Sequence, residues 1–179
     1  MTRADAFTIR RAVASDAATL AALGTGTFIE TFGHLYTAED LAAFLDQAHS
    51  EASYARLLDE RGGAIWLAFA ADSTPAGYLV AGPCKLPVPA LEPQAGEIRR
   101  LYLWRAVQGS GLGTCLLGVA FNWLDEQGYA PLYIGVWSRN LGAQRLYARL
   151  GFDKVGEYDF PVGRHLDREF ILRRGQVAG

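Results

Sequence analysis

Only two cysteines, Cys84 and Cys115, occur among the 179 residues, and neither stands in a Cys/His spacing that would hold zinc. A disulfide framework is therefore not what stabilises the chain, no metal is implied, and both residues read as buried or half-buried thiols suited to a reducing compartment. Basic excess is missing as well. Lys and Arg number 17 against 19 Asp and Glu, a formal net charge of -2, and the cations are spread out, so the footprint of a nucleic-acid binder is not there. Long apolar runs are also lacking: nothing approaches the roughly eighteen uncharged residues of a membrane span, and "MTRADAFTIRRA" has no apolar leader core. A cytoplasmic protein with a small-molecule or protein partner is expected, with no nucleic acid and no membrane. Internal repeats and low-complexity segments are missing too. What is present is a 50% hydrophobic composition, enough for one ordinary core, so residues 1–179 are expected to form a single domain.

Period and punctuation give the order of elements. "FTIRRA" alternates as a short strand, and Ser15 or Asp16 offers an N-cap to the apolar helix that follows. "YTAEDLAAFLDQAHSEASYARLLDE" holds two helical patterns, the first opened by Thr37 with Asp40 three residues on, the second starting near Ser50. "AIWLAFAA" and "AGYLVAGPC" read as two paired buried strands joined by the turn "DSTP". Prolines 87, 89 and 93 make "CKLPVPALEPQAGE" a surface loop, and "EIRRLYLW" is the next strand. The helix "GTCLLGVAFNWLDEQG" closes at Gly128, the strand "APLYIGVW" follows, and the helix within "SRNLGAQRLYARLGF" stops at Gly151. "FDKVGEYDF" and "REFILRR" finish as strands joined by "PVGRHLD". Strands and helices in this order give an α/β arrangement with a mixed sheet.

The stretch "VQGSGLGTCLL" carries the chemistry. Gly109, Gly111 and Gly113 weaken any regular element, so they are needed for their backbone. A glycine-rich turn between a strand and a helix exposes N–H groups at the positive end of the helix dipole, which suits a phosphate. The spacing is neither the G-x-G-x-x-G of a dinucleotide fold nor the Gly-Lys-Ser/Thr of a P-loop, although a nucleotide-binding module of another kind stays open.

Gln108-x-x-Gly111-x-Gly113, framed by a strand and a helix, resembles the acetyl-CoA-binding motif of the GNAT superfamily of N-acetyltransferases. A second block, "VWSRNLGAQRLYARLGF", is similar to the family's other characteristic region through Asn140, Ala143, Tyr147 and Leu150-Gly151-Phe152. The resemblance implies a GNAT-type fold, a central mixed, mostly antiparallel sheet of about seven strands flanked by about four helices, with a splayed strand pair holding CoA. It implies that the backbone from Gln108 through Gly109, Ser110, Gly111, Leu112 and Gly113, with Thr114, binds the pyrophosphate. The pantetheine arm would lie against Leu101, Tyr102, Leu103 and Asn140.

By the same resemblance Tyr147 protonates or hydrogen-bonds the CoA sulfur, Glu97 acts as base through water, and the amide of Leu103 receives the oxyanion. Each has a plainer reading: a packed aromatic, a solvated strand-end carboxylate, and for Asn140 a helix cap. The acceptor is a small primary amine, with Glu30, His34 and Glu97 expected around it. "GTFIETFGHLYTAEDLAAFL" and "EIRRLYL" are similar to the bacterial polyamine acetyltransferase group, in which Glu30, Glu39, Asp40 and Glu92 would hold a flexible cation. His34 and His165 would wall the acceptor site from loops, while His49 is expected to be exposed at a helix end. A protein N-terminus, an amino acid or an antibiotic amine is the alternative acceptor, a homodimer is compatible with the pattern, and a GNAT-like acyl-CoA sensor without turnover is the alternative class.

Overall fold

β-Branched and aromatic alternation places the chain's strands, and the apolar stripes between them become helices. The computed structural model describes residues 7–175, so the first six positions of the N-terminal stretch tested above for a leader lie outside the described residues. The order is β1 (Phe7–Arg11), α1 (Ala17–Phe32), α2 (Ala38–His49), α3 (Glu51–Asp59), β2 (Ala64–Ala70), β3 (Pro75–Pro83), β4 (Gly96–Leu103), α4 (Leu112–Glu126), β5 (Leu132–Trp137), α5 (Leu141–Arg149), β6 (Asp153–Val162) and β7 (His165–Arg174). The seven strands form one sheet in the order β1-β2-β3-β4-β5-β7-β6. All neighbours are antiparallel except β4 and β5. This is the α/β, mostly antiparallel seven-stranded architecture expected. The described residues form five α-helices, and the second of the two expected patterns starts where Ser50, in extended backbone, ends α2 and caps α3, its hydroxyl accepting from Ser53 N at 3.3 Å.

Strand alternation sends successive side chains to opposite faces, and helices cover both. Leu116, Leu117, Ala120 and Leu124 of α4 recur at helical spacing and pack with Trp66, Leu79, Ile98 and Ile134 on one face. On the other, Leu20 and Leu23 of α1 and Tyr54 of α3 meet Ile65, Leu67, Tyr78 and Val80. Truncating a fully buried leucine such as Leu116 to alanine would cost about 2–5 kcal/mol.

Two local expectations change. Neither Ser15 nor Asp16 caps α1 through its side chain. The Asp16 carboxylate instead accepts from Val13 N and from both terminal nitrogens of Arg10, each at 2.8 Å, and so closes the entry turn. The loop expected at "PVGRHLD" shrinks to Gly163 and Arg164, because Gly163 adopts φ +60° and lets Val162 pair directly with His165.

Two irregularities in β4 position everything that follows. Val80 pairs with Arg100 and Ala81 with Ile98, so Arg99 is an extra residue, a bulge that bends the strand. On its other side β4 pairs with β5 only from Gly96 to Ile98, opposite Leu132 to Ile134. Beyond Ile98 the two parallel strands part, while β5 stays paired with β7.

Candidate active site

The parting of β4 and β5 leaves main-chain groups facing a gap. Trp104 N donates to Ala76 O across the β3 side, so by antiparallel alternation the N–H and C=O of Leu101 and Leu103 point the other way, into the gap. Leu103 O accepts from the Gln108 side chain at 3.3 Å, which ties the glycine loop to the strand end.

The loop itself is shaped by left-handed backbone at Gly109 (φ +74°) and Gly111 (φ +91°). Within it Gln108 N donates to Arg105 O and Ser110 N to Val107 O, while Leu112 N reaches the Ser110 hydroxyl. The amides of Gly109, Gly111, Gly113 and Thr114 have no acceptor among the described residues. Four N–H groups at the N-terminus of the fifteen-residue α4 thus form a cradle of the kind that suits a pyrophosphate. The set is narrower than the whole run from Gln108 to Gly113.

Below the loop the gap widens into a cavity of about 550 Å³ whose lining includes Leu101, Leu103, Gln108, Gly109, Gly111, Gly113, Thr114, Asn140 and Tyr147. Tyr102, Ser110 and Leu112 lie off it: Tyr102 faces the other side of the sheet and stacks on Tyr78 at 5.8 Å, and Leu112 is buried in the core. A second cavity of about 560 Å³ lies on the opposite face, between the sheet and helices α1 and α2. Its walls are aromatic, from Phe28, Phe32, Tyr36, Tyr102, Trp137, Tyr158 and Phe160, and three carboxylates open on it, Glu97, Asp167 and Glu169. Four residues line both cavities: Leu101, Asn140, Ala143 and Tyr147.

Each of these groups has an electrostatic setting. Glu97 is 6% exposed, accepts from Lys85 N at 2.7 Å, and is pushed above the usual carboxylate range by burial. Glu169 is raised for the same reason and accepts from the Tyr158 hydroxyl at 2.7 Å. Asp167 accepts from Tyr36, and His165 Nε2 lies 3.2 Å from its other oxygen. Gly135 of β5 makes room for this group, since a Cβ there would come within 3.0 Å of the Tyr158 oxygen and 3.1 Å of Glu169 Oε2. Tyr147 makes no side-chain hydrogen bond among the described residues, and burial pushes its phenol up to about 12, so it keeps its proton at neutral pH. Asn140 accepts from Ala143 N at 3.1 Å and caps α5 while facing both cavities.

Not every residue singled out in the sequence joins this arrangement. Glu30 accepts from Arg105 N at 2.7 Å and lies off both cavities, as does the exposed His34. Glu39 pairs with Arg164, Asp40 accepts from Thr37 Oγ1 and Arg164 N, and Glu92 holds Tyr133 and Arg173. None of these three opens on the second cavity. His165 begins β7 rather than lying in a loop. His49, expected to be exposed, is 2% exposed, shares a 2.9 Å bond between Nδ1 and the Tyr54 hydroxyl, and is held neutral, its pKa lowered to about 3 by burial and by Arg100. Helix α1 approaches it closely because residue 24 is glycine: a Cβ there would overlap the Tyr54 oxygen and His49 Nδ1.

Asp167, Glu169, Tyr158 and Arg100, which also line the second cavity, are groups that the sequence reading did not assign to the site. Asp-x-Glu at 167 and 169 puts both carboxylates on one face of β7. Which face is covered depends on where α1 and α2 land.

Comparison with known proteins agrees with this fold. The model of the acetyltransferase (GNAT) family matches residues 29–152. An uncharacterized N-acetyltransferase from the pepI 3' region of Lactobacillus delbrueckii subsp. lactis is 30% identical over 162 residues, covering 87% of this chain and 90% of its own. An uncharacterized N-acetyltransferase of Mycobacterium bovis is 28% identical over 165 residues, 91% of this chain and 99% of that one. The crystal structure of the PaiA N-acetyltransferase from Thermoplasma acidophilum in complex with coenzyme A superposes with a TM-score of 0.74 at 20% identity, over 95% of this chain and 99% of that one. With more than half its length matched by the family model and its fold shared, the chain belongs to the GNAT family of acetyltransferases.

Proposed function

We propose that the protein transfers the acetyl group of acetyl-CoA directly to a primary amine of a small molecule. The observation that carries this reading is the meeting of two cavities at Leu101, Asn140, Ala143 and Tyr147. One cavity runs to a cradle of free amides fit for a pyrophosphate, and the other is walled by aromatics and carboxylates fit for an amine. Acetyl-CoA supplies an activated thioester carbonyl and a thiolate leaving group.

The chain's own groups suit the remaining steps. The carboxylate of Glu97, its proton affinity raised by burial, takes a proton from the incoming ammonium through water, so that the amine attacks as a free base. The Leu103 amide, turned into the gap, donates to the carbonyl oxygen as its charge grows. The C–N bond forms and the C–S bond breaks; Tyr147 Oη gives its proton to the departing sulfur, and the proton that the new amide nitrogen sheds passes through water to restore the phenol.

The test pairs calorimetric titration of acetyl-CoA with thiol release against polyamines, amino acids, aminoglycosides and N-terminal peptides. Saturable binding with turnover on one amine class is expected. Tight binding without turnover on any amine would replace this reading with the sensor, and no binding at all would remove the acetyl-CoA site.

A further inference from the structure

Three cations line the acceptor-side cavity, and they are not alike. Lys85 Nζ and the Arg99 guanidinium both pair with Glu60, at 2.9 and 3.0 Å, and Arg99 also donates to Pro83 O. Arg100 pairs with no carboxylate among the described residues. Its Nη1 donates to Ala48 O at 2.9 Å, in the last turn of α2, and its guanidinium lies 5.2 Å from the Tyr54 ring centroid. A guanidinium carries five N–H donors, and a helix C-terminus with an aromatic face orients it without neutralising it. Neighbouring His49 is neutral, so it adds no charge.

Asp167 and Glu169 on β7 line the same cavity. The cavity therefore holds a cation unpaired among the described residues, Arg100 of β4 tied to α2, together with carboxylates from β7 and, three residues before Arg100, Glu97 of β4.

Resting on the acetyl-transfer reading above, we infer that the acceptor is an amine that also bears a carboxylate, bound through that carboxylate to Arg100. A guanidinium fits a carboxylate in a two-pronged bond, and a partly desolvated cation without a counter-charge gains most from one. The same cation disfavours a purely polycationic acceptor, because one ammonium group would have to approach it. The carboxylates Asp167 and Glu169 serve the amine-bearing end.

Matched pairs that differ only in the carboxylate decide the matter: lysine against cadaverine, ornithine against putrescine, phenylalanine against phenethylamine. Thiol release from acetyl-CoA should favour the carboxylate-bearing member by about tenfold or more in kcat/KM in at least one pair. Arg100→Gln should erase that preference through KM, Arg100→Lys should restore part of it, and calorimetric acetyl-CoA affinity should match the parent in both. A merely structural Arg100 would not move the preference. Equal or better turnover of the decarboxylated members by the parent protein overturns the inference without touching acetyl transfer, and so does an unchanged preference in Arg100→Gln. Should Arg100→Gln fail to bind acetyl-CoA, the parent's preference alone decides. No thiol release with any member overturns this inference, and acetyl transfer falls with it only if the aminoglycosides and N-terminal peptides also release no thiol.

Discussion

Burial acts on Tyr147 and Glu97 in the same direction. It disfavours the charged form of each, so the phenol, pushed up to about 12, holds its proton and the carboxylate is raised above its usual range. Tyr147→Phe removes a proton and little volume, so kcat should fall about 10-fold to 100-fold with acetyl-CoA affinity unchanged by calorimetry. Parental turnover would take Tyr147 out of the acid role. The base works only as carboxylate, so the rate should decline as pH falls through the raised pKa of Glu97. Glu97→Gln should abolish that acidic limb and lower kcat about 100-fold or more, as a pH profile of kcat would show. A limb that persists in Glu97→Gln assigns it to another group.

Helix α4 separates what glycine does for the fold from what it does for the site. A Cβ on Gly113 would sit 3.5 Å from Leu103 Cδ1, an ordinary contact, and the residue lies in the first turn of a helix where alanine is the better former. Gly113→Ala should therefore raise stability by about 0.5–1 kcal/mol in urea titration while weakening acetyl-CoA binding, because the methyl group enters the cradle. A variant that binds as tightly as the parent would move the pyrophosphate away from Gly113. The glycine loop, the α4 and α5 stops at Gly128 and Gly151, and the α2 cap at Thr37 were legible in sequence because each is local: the residue's own backbone or hydroxyl makes the feature. The wall of the second cavity was not. Asp167 and Glu169 alternate along β7 like solvent-facing charges, and His49 ends α2 like an exposed cap. Only the packing of α1, α2 and α3 against the sheet turns those side chains inward, and no local pattern encodes that.

The packing that hides His49 makes the molecule sensitive to acid. The group has a folded pKa of about 3 against an ordinary 6.5, so the unfolded chain binds its proton first as pH falls. Stability is complete above about pH 6.5 and should drop by about 1.4 kcal/mol per pH unit from there toward pH 3. Denaturation midpoints across that range should flatten in His49→Gln; an undiminished slope would place the acid sensitivity elsewhere. Over the sheet as a whole, the seam between β1–β4 and β5–β7 is three residue pairs long. Two half-sheets are riveted at one end and open at the other, like a clothes-peg, with the hinge at Gly96–Ile98 and the jaws at Leu103 and Trp137. An amide-bearing arm lying between the jaws would stitch them together, so amide exchange at Leu101 and Leu103 should slow when acetyl-CoA is added. Because the rivet is short, a thiol-bearing arm held between the jaws would lie along strand edges of two different half-sheets, so its release would need no strand pairing of the sheet to break.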